Sequence, residues 1–106
     1  MLKTKKKGGG KMKRTKIGQK KHDEGVLRSA NYYEKLGFKV AVDLPGHKKP
    51  KEISGFIPDI IAKKGGEEII IEVETRKTII SDKEQQEKFK KYAGRSNNRK
   101  FRTKIV

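Results

Sequence analysis

Two apolar runs joined by five polar residues constrain this chain more than anything else in it. Phe56-Ile57-Pro58-Asp59-Ile60-Ile61-Ala62 and Glu68-Ile69-Ile70-Ile71-Glu72-Val73-Glu74 each have the length of a strand. Lys63-Lys64-Gly65-Gly66-Glu67 between them carries the glycines of a hairpin turn. Hydrophobic residues make up only 31% of the 106. The core is therefore small and the chain has room for one domain, with this hairpin inside it.

The hairpin also holds acids where apolar side chains are expected. Side chains on a strand alternate faces, so Glu72 and Glu74 share one face. A turn centred near Gly65 sets Asp59 opposite residue 71 or 72, and the favoured register adds Asp59 to that face. The bland alternative is three solvent-facing charges on an amphipathic sheet. Against it, Glu72 and Glu74 interrupt an apolar run, and the rest of the chain is strongly basic. Carboxylates crowded in a low dielectric repel unless a cation or proton neutralises them. With no cysteine and two histidines, oxygen ligands suit Mg²⁺ or Mn²⁺ better than zinc. The expectation is a concave, solvent-reachable site in which Asp59 and Glu72 lie side by side with Glu74 close by.

Before the hairpin, Val26, Leu27, Ala30, Tyr33 and Leu36 recur at helical spacing, with Asp23 and Glu24 at the helix start and Gly37 at its stop. Phe38 to Val42 reads as a strand, and Asp43 to Ser54 as a loop. After the hairpin, Ser81-Asp82-Lys83-Glu84 matches a capping box for a helix ending near Gly94, with Gln85, Phe89 and Tyr92 as its inner stripe. Phe101, Thr103 and Ile105 alternate with Arg102 and Lys104 as a last strand. The order is helix, three-stranded meander, helix, strand (αβββαβ). This is an α/β fold with a mixed sheet flanked by helices, whose last strand returns parallel to the third by a right-handed crossover.

A formal charge of +16 needs a polyanion or must be tolerated as self-repulsion. Nucleic acid is the default partner, DNA first and RNA beside it. No apolar run approaches the ~20 residues of a membrane span, and no basic helix has the apolar face of an interfacial one, so no membrane partner is expected. Residues 1–21 hold ten Lys or Arg and no acid. They read as a disordered basic arm that grips phosphates through Lys11, Lys13, Arg14, Lys16, Lys20 and Lys21, or else as a solubilising tail. Residues 22–106 form the domain. Further phosphate contacts are expected from the loop His47, Lys48 and Lys49, from Arg76 and Lys77, and from Lys90, Lys91 and Arg95. Nothing reads a base sequence, so contacts go to phosphate and shape. The lack of cysteine and of a secretory apolar segment fits an intracellular protein, cytoplasmic or nucleoid-associated.

Pro58-Asp59, followed by Glu72-Val73-Glu74 on the next strand, resembles the PD-(D/E)xK signature of the restriction-endonuclease-like superfamily. The flanks agree. Leu36-Gly37-Phe38-Lys39-Val40 and the helix carrying Gln85-Gln86 and Phe89-Lys90-Lys91-Tyr92-Ala93 resemble segments of small Holliday-junction-resolvase-like nucleases. The resemblance covers residues 22–106 and implies a metal-dependent DNA endonuclease, acting on branched or damaged DNA, in which Asp59 and Glu72 hold Mg²⁺ or Mn²⁺ against the scissile phosphate. It also implies a homodimer. The usual third-position lysine is Glu74 here, which leaves it as a ligand or a proton acceptor, with Arg76, Lys77 or Lys83 as substitute cations. Many relatives add an acid from the first helix, and Glu24 is preferred over Asp23 for that role. The alternative is a catalytically inactive nucleic-acid-binding protein that retains the fold. A basic ribosome-associated protein would leave Asp59, Glu72 and Glu74 unexplained.

Overall fold

The computed structural model describes residues 16–106. Helix α1 (Lys16–Lys35) leads into β1 (Lys39–Val42), β2 (Ile60–Lys64) and β3 (Glu67–Glu74). A short α2 (Thr78–Ser81) and α3 (Lys83–Gly94) then carry the chain to β4 (Arg99–Ile105). The sheet order is β1-β2-β3-β4, antiparallel through β3, with β4 parallel to β3. This is the expected α/β restriction-endonuclease-like core, a mixed sheet between helices.

The hairpin register follows from its glycines. Gly65 and Gly66 both have positive φ, +53° and +89°, which a two-residue primed turn demands and only glycine adopts without strain. Lys64 therefore faces Glu67, and Ile60 faces Ile71. Once the register is fixed, alternation sorts the side chains. Ile60, Ala62, Ile69, Ile71 and Val73 face α1 and bury Val26 and Ala30. Ile61 and Ile70 face α3 and surround Phe89, with Phe56, Tyr92 and Phe101 packed at the rim.

The structure differs from the sequence reading in three places. First, α1 begins at Lys16, so Lys16, Lys20 and Lys21 belong to a helix and not to the arm. Lysine and glutamine are good helix formers, and like-charge repulsion at exposed helix positions costs only a few tenths of a kcal/mol. The arm's remaining residues, Lys11, Lys13 and Arg14 among them, lie outside the described residues. Second, β2 starts at Ile60, because Pro58 has no N–H to give the ladder. Phe56 instead forms a small bridge with Ile53 around Ser54 and Gly55. Third, Ser81 is no N-cap. It closes α2, donating its hydroxyl to the Thr78 carbonyl at 3.3 Å. The reciprocal bonds expected at Ser81 and Glu84 occur one turn earlier, where Thr75 and Thr78 each accept the other's backbone N–H, at 3.1 and 2.7 Å.

Phe89 is fully buried, whereas Ile80 is 71% exposed. Phe89→Ala should cost about 3–5 kcal/mol and Ile80→Ala roughly 0.5 kcal/mol or less, read as shifts in the urea midpoint at constant slope.

Candidate active site

The acids converge where β2 leaves the ladder. Continuing the register past Ile60 and Ile71 sets Asp59 opposite Glu72, and the two are locked by reciprocal hydrogen bonds. The Asp59 backbone N–H donates to Glu72 Oε2 at 2.8 Å, and the Val73 N–H donates to Asp59 Oδ2 at 2.9 Å. Each carboxylate thus accepts a backbone N–H of the opposite strand just beyond the last regular ladder pair. Glu72 Oε1 accepts the Gln85 side-chain amide from α3. Asp59 Oδ1 lies 3.2 Å from His22 Nε2 on α1, and His22 Nδ1 is 3.1 Å from Asp23 Oδ1.

Glu74, one step along the same face, is treated differently. It is fully buried, and no hydrogen bond of good geometry reaches either carboxylate oxygen. Burial pushes its pKa up from 4.5 to about 6. The Thr78 hydroxyl pulls the other way, while Asp82 and Asp59 add to the rise. Asp82 is also buried, and its Oδ2 is likewise without a partner. Unprotonated, buried oxygen donors of this kind have the chemistry of a hard-cation ligand set. Even so, among the described residues no three acidic or histidine side chains are drawn together closely enough to enclose an ion.

The site is closed, contrary to the solvent-reachable cleft expected. Asp59 is 3% exposed, and Glu72 and Glu74 are 0%. Buried polar residues of α1, α2 and α3, and the turn between the last two, are His22, Thr78, Asp82, Gln85 and Gln86. Glu24 does not join the cluster. The face of α1 turned to the sheet carries His22, Gly25, Val26 and Ala30, and the 3.6-residue period leaves Glu24 exposed. Asp43 donates its backbone N–H to the Asp59 carbonyl, but its side chain pairs with Lys49 at 3.6 Å.

The expected phosphate contacts are on the surface. Lys16, Lys20, Lys21, His47, Lys48, Lys49, Arg76, Lys77, Lys91 and Arg95 are exposed, and Lys90 makes only a 3.9 Å pair with Glu87. The substitute cations Arg76, Lys77 and Lys83 are exposed too, and none pairs with Glu74 among the described residues. Sequence reasoning misses Asp82, which it assigns to a capping box. It also misses what Gln85 does, though an amide on the inner stripe of a helix facing a strand glutamate is an available signal.

A protein-family model described as REase_AHJR-like, a restriction-endonuclease-like family, matches residues 14–103. No curated protein and no solved structure matches the chain. No described helix is long and apolar enough to cross a membrane.

The raised pKa of Glu74 carries a stability consequence. The folded chain keeps this proton up to about pH 6, whereas the unfolded chain releases it near the ordinary glutamate value. Folding therefore binds protons between those values, and this group's contribution to stability falls as pH rises through that window. Glu74→Gln should abolish that fall. In EDTA the variant should match the parent near pH 4 and exceed it at pH 7 by on the order of 1 kcal/mol, measured by urea denaturation at both pH values.

Proposed function

The chain belongs to the REase_AHJR-like family of restriction-endonuclease-like proteins, and from that premise we propose that it is a metal-dependent nuclease hydrolysing phosphodiester bonds in DNA. The observation that carries the reading is the Asp59–Glu72 clamp with Glu74 beside it. Two acids held by backbone amides of adjacent strands are fixed in orientation, as a catalytic constellation requires.

Asp59, Glu72 and Glu74 would be the oxygen ligands of the ion, Mg²⁺ or Mn²⁺ by their hardness, and would have to be drawn closer together to hold it. Such an ion supplies polarisation of the phosphate and a more acidic water. Gln85 fixes the Glu72 carboxylate, and His22 fixes that of Asp59 while offering a place for a proton. Glu74 stands where the family's lysine is usual and serves as ligand or proton acceptor. Because the acids are covered, a phosphate reaches them only if the Thr75–Asp82 segment or the start of α1 moves aside. Exposed lysines and arginines around the domain bind the backbone without reading bases. Cutting both strands of a duplex needs two such sites or one that turns around, and a homodimer would supply the two.

A second reading, a nucleic-acid-binding protein that has kept the fold without the activity, is favoured by the closed site and by Glu74 in the lysine position. Labelled linear, single-stranded and branched DNA, with RNA in parallel, separates the two when incubated with Mg²⁺, Mn²⁺ or EDTA. The nuclease should cleave only with metal. Asp59→Ala or Glu72→Ala should lower the rate roughly a thousandfold with binding retained, and Gln85→Ala roughly ten- to a hundredfold. Absence of cleavage under every condition would leave the binding protein.

Residues 1–15 contain seven lysines or arginines. Their removal should weaken binding to all sequences alike. It should also flatten the slope of log affinity on log salt by ~0.9 for each duplex phosphate no longer neutralised. Unchanged affinity and slope would make the segment a solubilising extension.

A further inference from the structure

Cations at the two ends of the sheet are used differently. Near the hairpin turn, Lys51, Lys63 and Arg99 are all drawn to Glu68, at 3.2, 3.8 and 3.3 Å. The cavity there, of ≈ 690 Å³, is thus organised around a buried anion of the protein's own. A second groove, of ≈ 370 Å³ between α1 and β4, has no such internal partner. Arg28, Arg102 and Lys104 line it together with Tyr32 and Tyr33. None of these three cations is in an ion pair among the described residues, and the one hydrogen bond of the Arg102 guanidinium goes to the neighbouring Phe101 carbonyl at 3.3 Å.

The aromatic part of the groove is open. Tyr33 is held by edge contacts with Tyr32 and Phe38, at 5.2 and 5.5 Å between centroids. Tyr32 is 59% exposed, so much of its ring has no protein against it. Arg28 lies one turn before Tyr32 on α1, which sets a cation beside that ring. β4 is the last strand of the sheet, so its outer backbone groups are not taken by another strand. A second copy of this chain is a poor occupant of this groove, because the same face of a copy would bring its cations against Arg28, Arg102 and Lys104. A duplex offers phosphates, but its bases are already stacked on one another. An unpaired strand offers both a free base face for tyrosine and phosphates for the three cations.

We propose that the α1–β4 groove binds an unpaired nucleotide of a single-stranded segment, its base on Tyr32 and its flanking phosphates on Arg28, Arg102 and Lys104. This site rests on the nucleic-acid part of the proposed function and is independent of cleavage. It confines the preferred substrate to nucleic acid with an unpaired strand.

Fluorescence anisotropy with the full chain in EDTA tests it. Three probes of equal length are compared: a thymidine oligonucleotide, the same strand built of abasic sites, and a duplex. The thymidine strand should bind more tightly than the abasic one. Tyr32→Ala should cost about tenfold on the thymidine strand and nothing on the abasic strand, and Tyr32→Phe should keep the parent's affinity. Arg102→Ala should weaken both strands and lower the salt slope by ~0.7 per phosphate contact. The proposal is overturned if Tyr32→Ala has no effect or costs the same on both strands. It is equally overturned if the protein by itself sediments as a dimer that Tyr32→Ala dissociates, which would give the groove to a second copy. A Tyr32 effect without metal-dependent cleavage would retire the nuclease and keep the groove. Cleavage without a Tyr32 effect would do the reverse.

Discussion

The exchange of hydrogen bonds between Asp59 and the β3 backbone, and between Glu72 and the β2 backbone, is the constraint on which the rest of the site depends. The regular ladder between two central strands ends at Ile60 and Ile71, and at that depth an unmet N–H is costly. Two carboxylates meet the need, one from each strand. The same bonds that repair the sheet therefore aim the acids. Helix α1 brings His22 to one carboxylate and α3 brings Gln85 to the other, so both covering layers are pinned to the same point. A site built this way is rigid because the sheet is.

Much of this is legible in the sequence, for identifiable reasons. The hairpin register follows from Gly65-Gly66, and the period of two then puts Asp59, Glu72 and Glu74 together. The parallel return of β4 follows from a helix between two strands. What is not legible depends on tertiary partners. The first turn of α1 has no apolar periodicity to reveal it, because Lys16 to Lys21 are largely solvent-facing. The start of α3 is misread because the Ser81–Glu84 pattern fits a capping box while the chain makes its reciprocal bonds at Thr75 and Thr78 instead. The preference for Glu24 rests on the resemblance, in which relatives add an acid from the first helix. Which residue faces the acids is set by helix phase, and phase selects His22. Burial is the least legible feature, since a period of two says which face a residue takes and not what covers it.

The charge distribution follows the same logic. Among the described residues the cations lie at the surface and several of the acids inside. The outer cations are held by few ion pairs, and solvent-exposed pairs of that kind contribute little to stability. Long-range attraction of a polyanion, as in the proposed function, would need no fixed geometry from them. The inner acids need fixed geometry and obtain it from the backbone.

Strand β3 carries both ways of treating a buried carboxylate. At Glu68, burial raises the pKa, but the Tyr92 hydroxyl, Lys51 and Lys63 together hold it below the ordinary value. That acid is charge-paired within the protein and serves as a structural hub. Glu74, six residues along the same face, is buried more deeply still. No cation of the described chain reaches its carboxylate, and Asp82 and Asp59 add to the rise. The deciding difference is not strand or residue type. It is whether the sequence supplies a counter-charge, as it does three times over for Glu68. Withholding it from Glu74 in a chain with 29 lysines and arginines leaves an electrostatic cost that packing within the chain does not relieve. A proton relieves it at low pH.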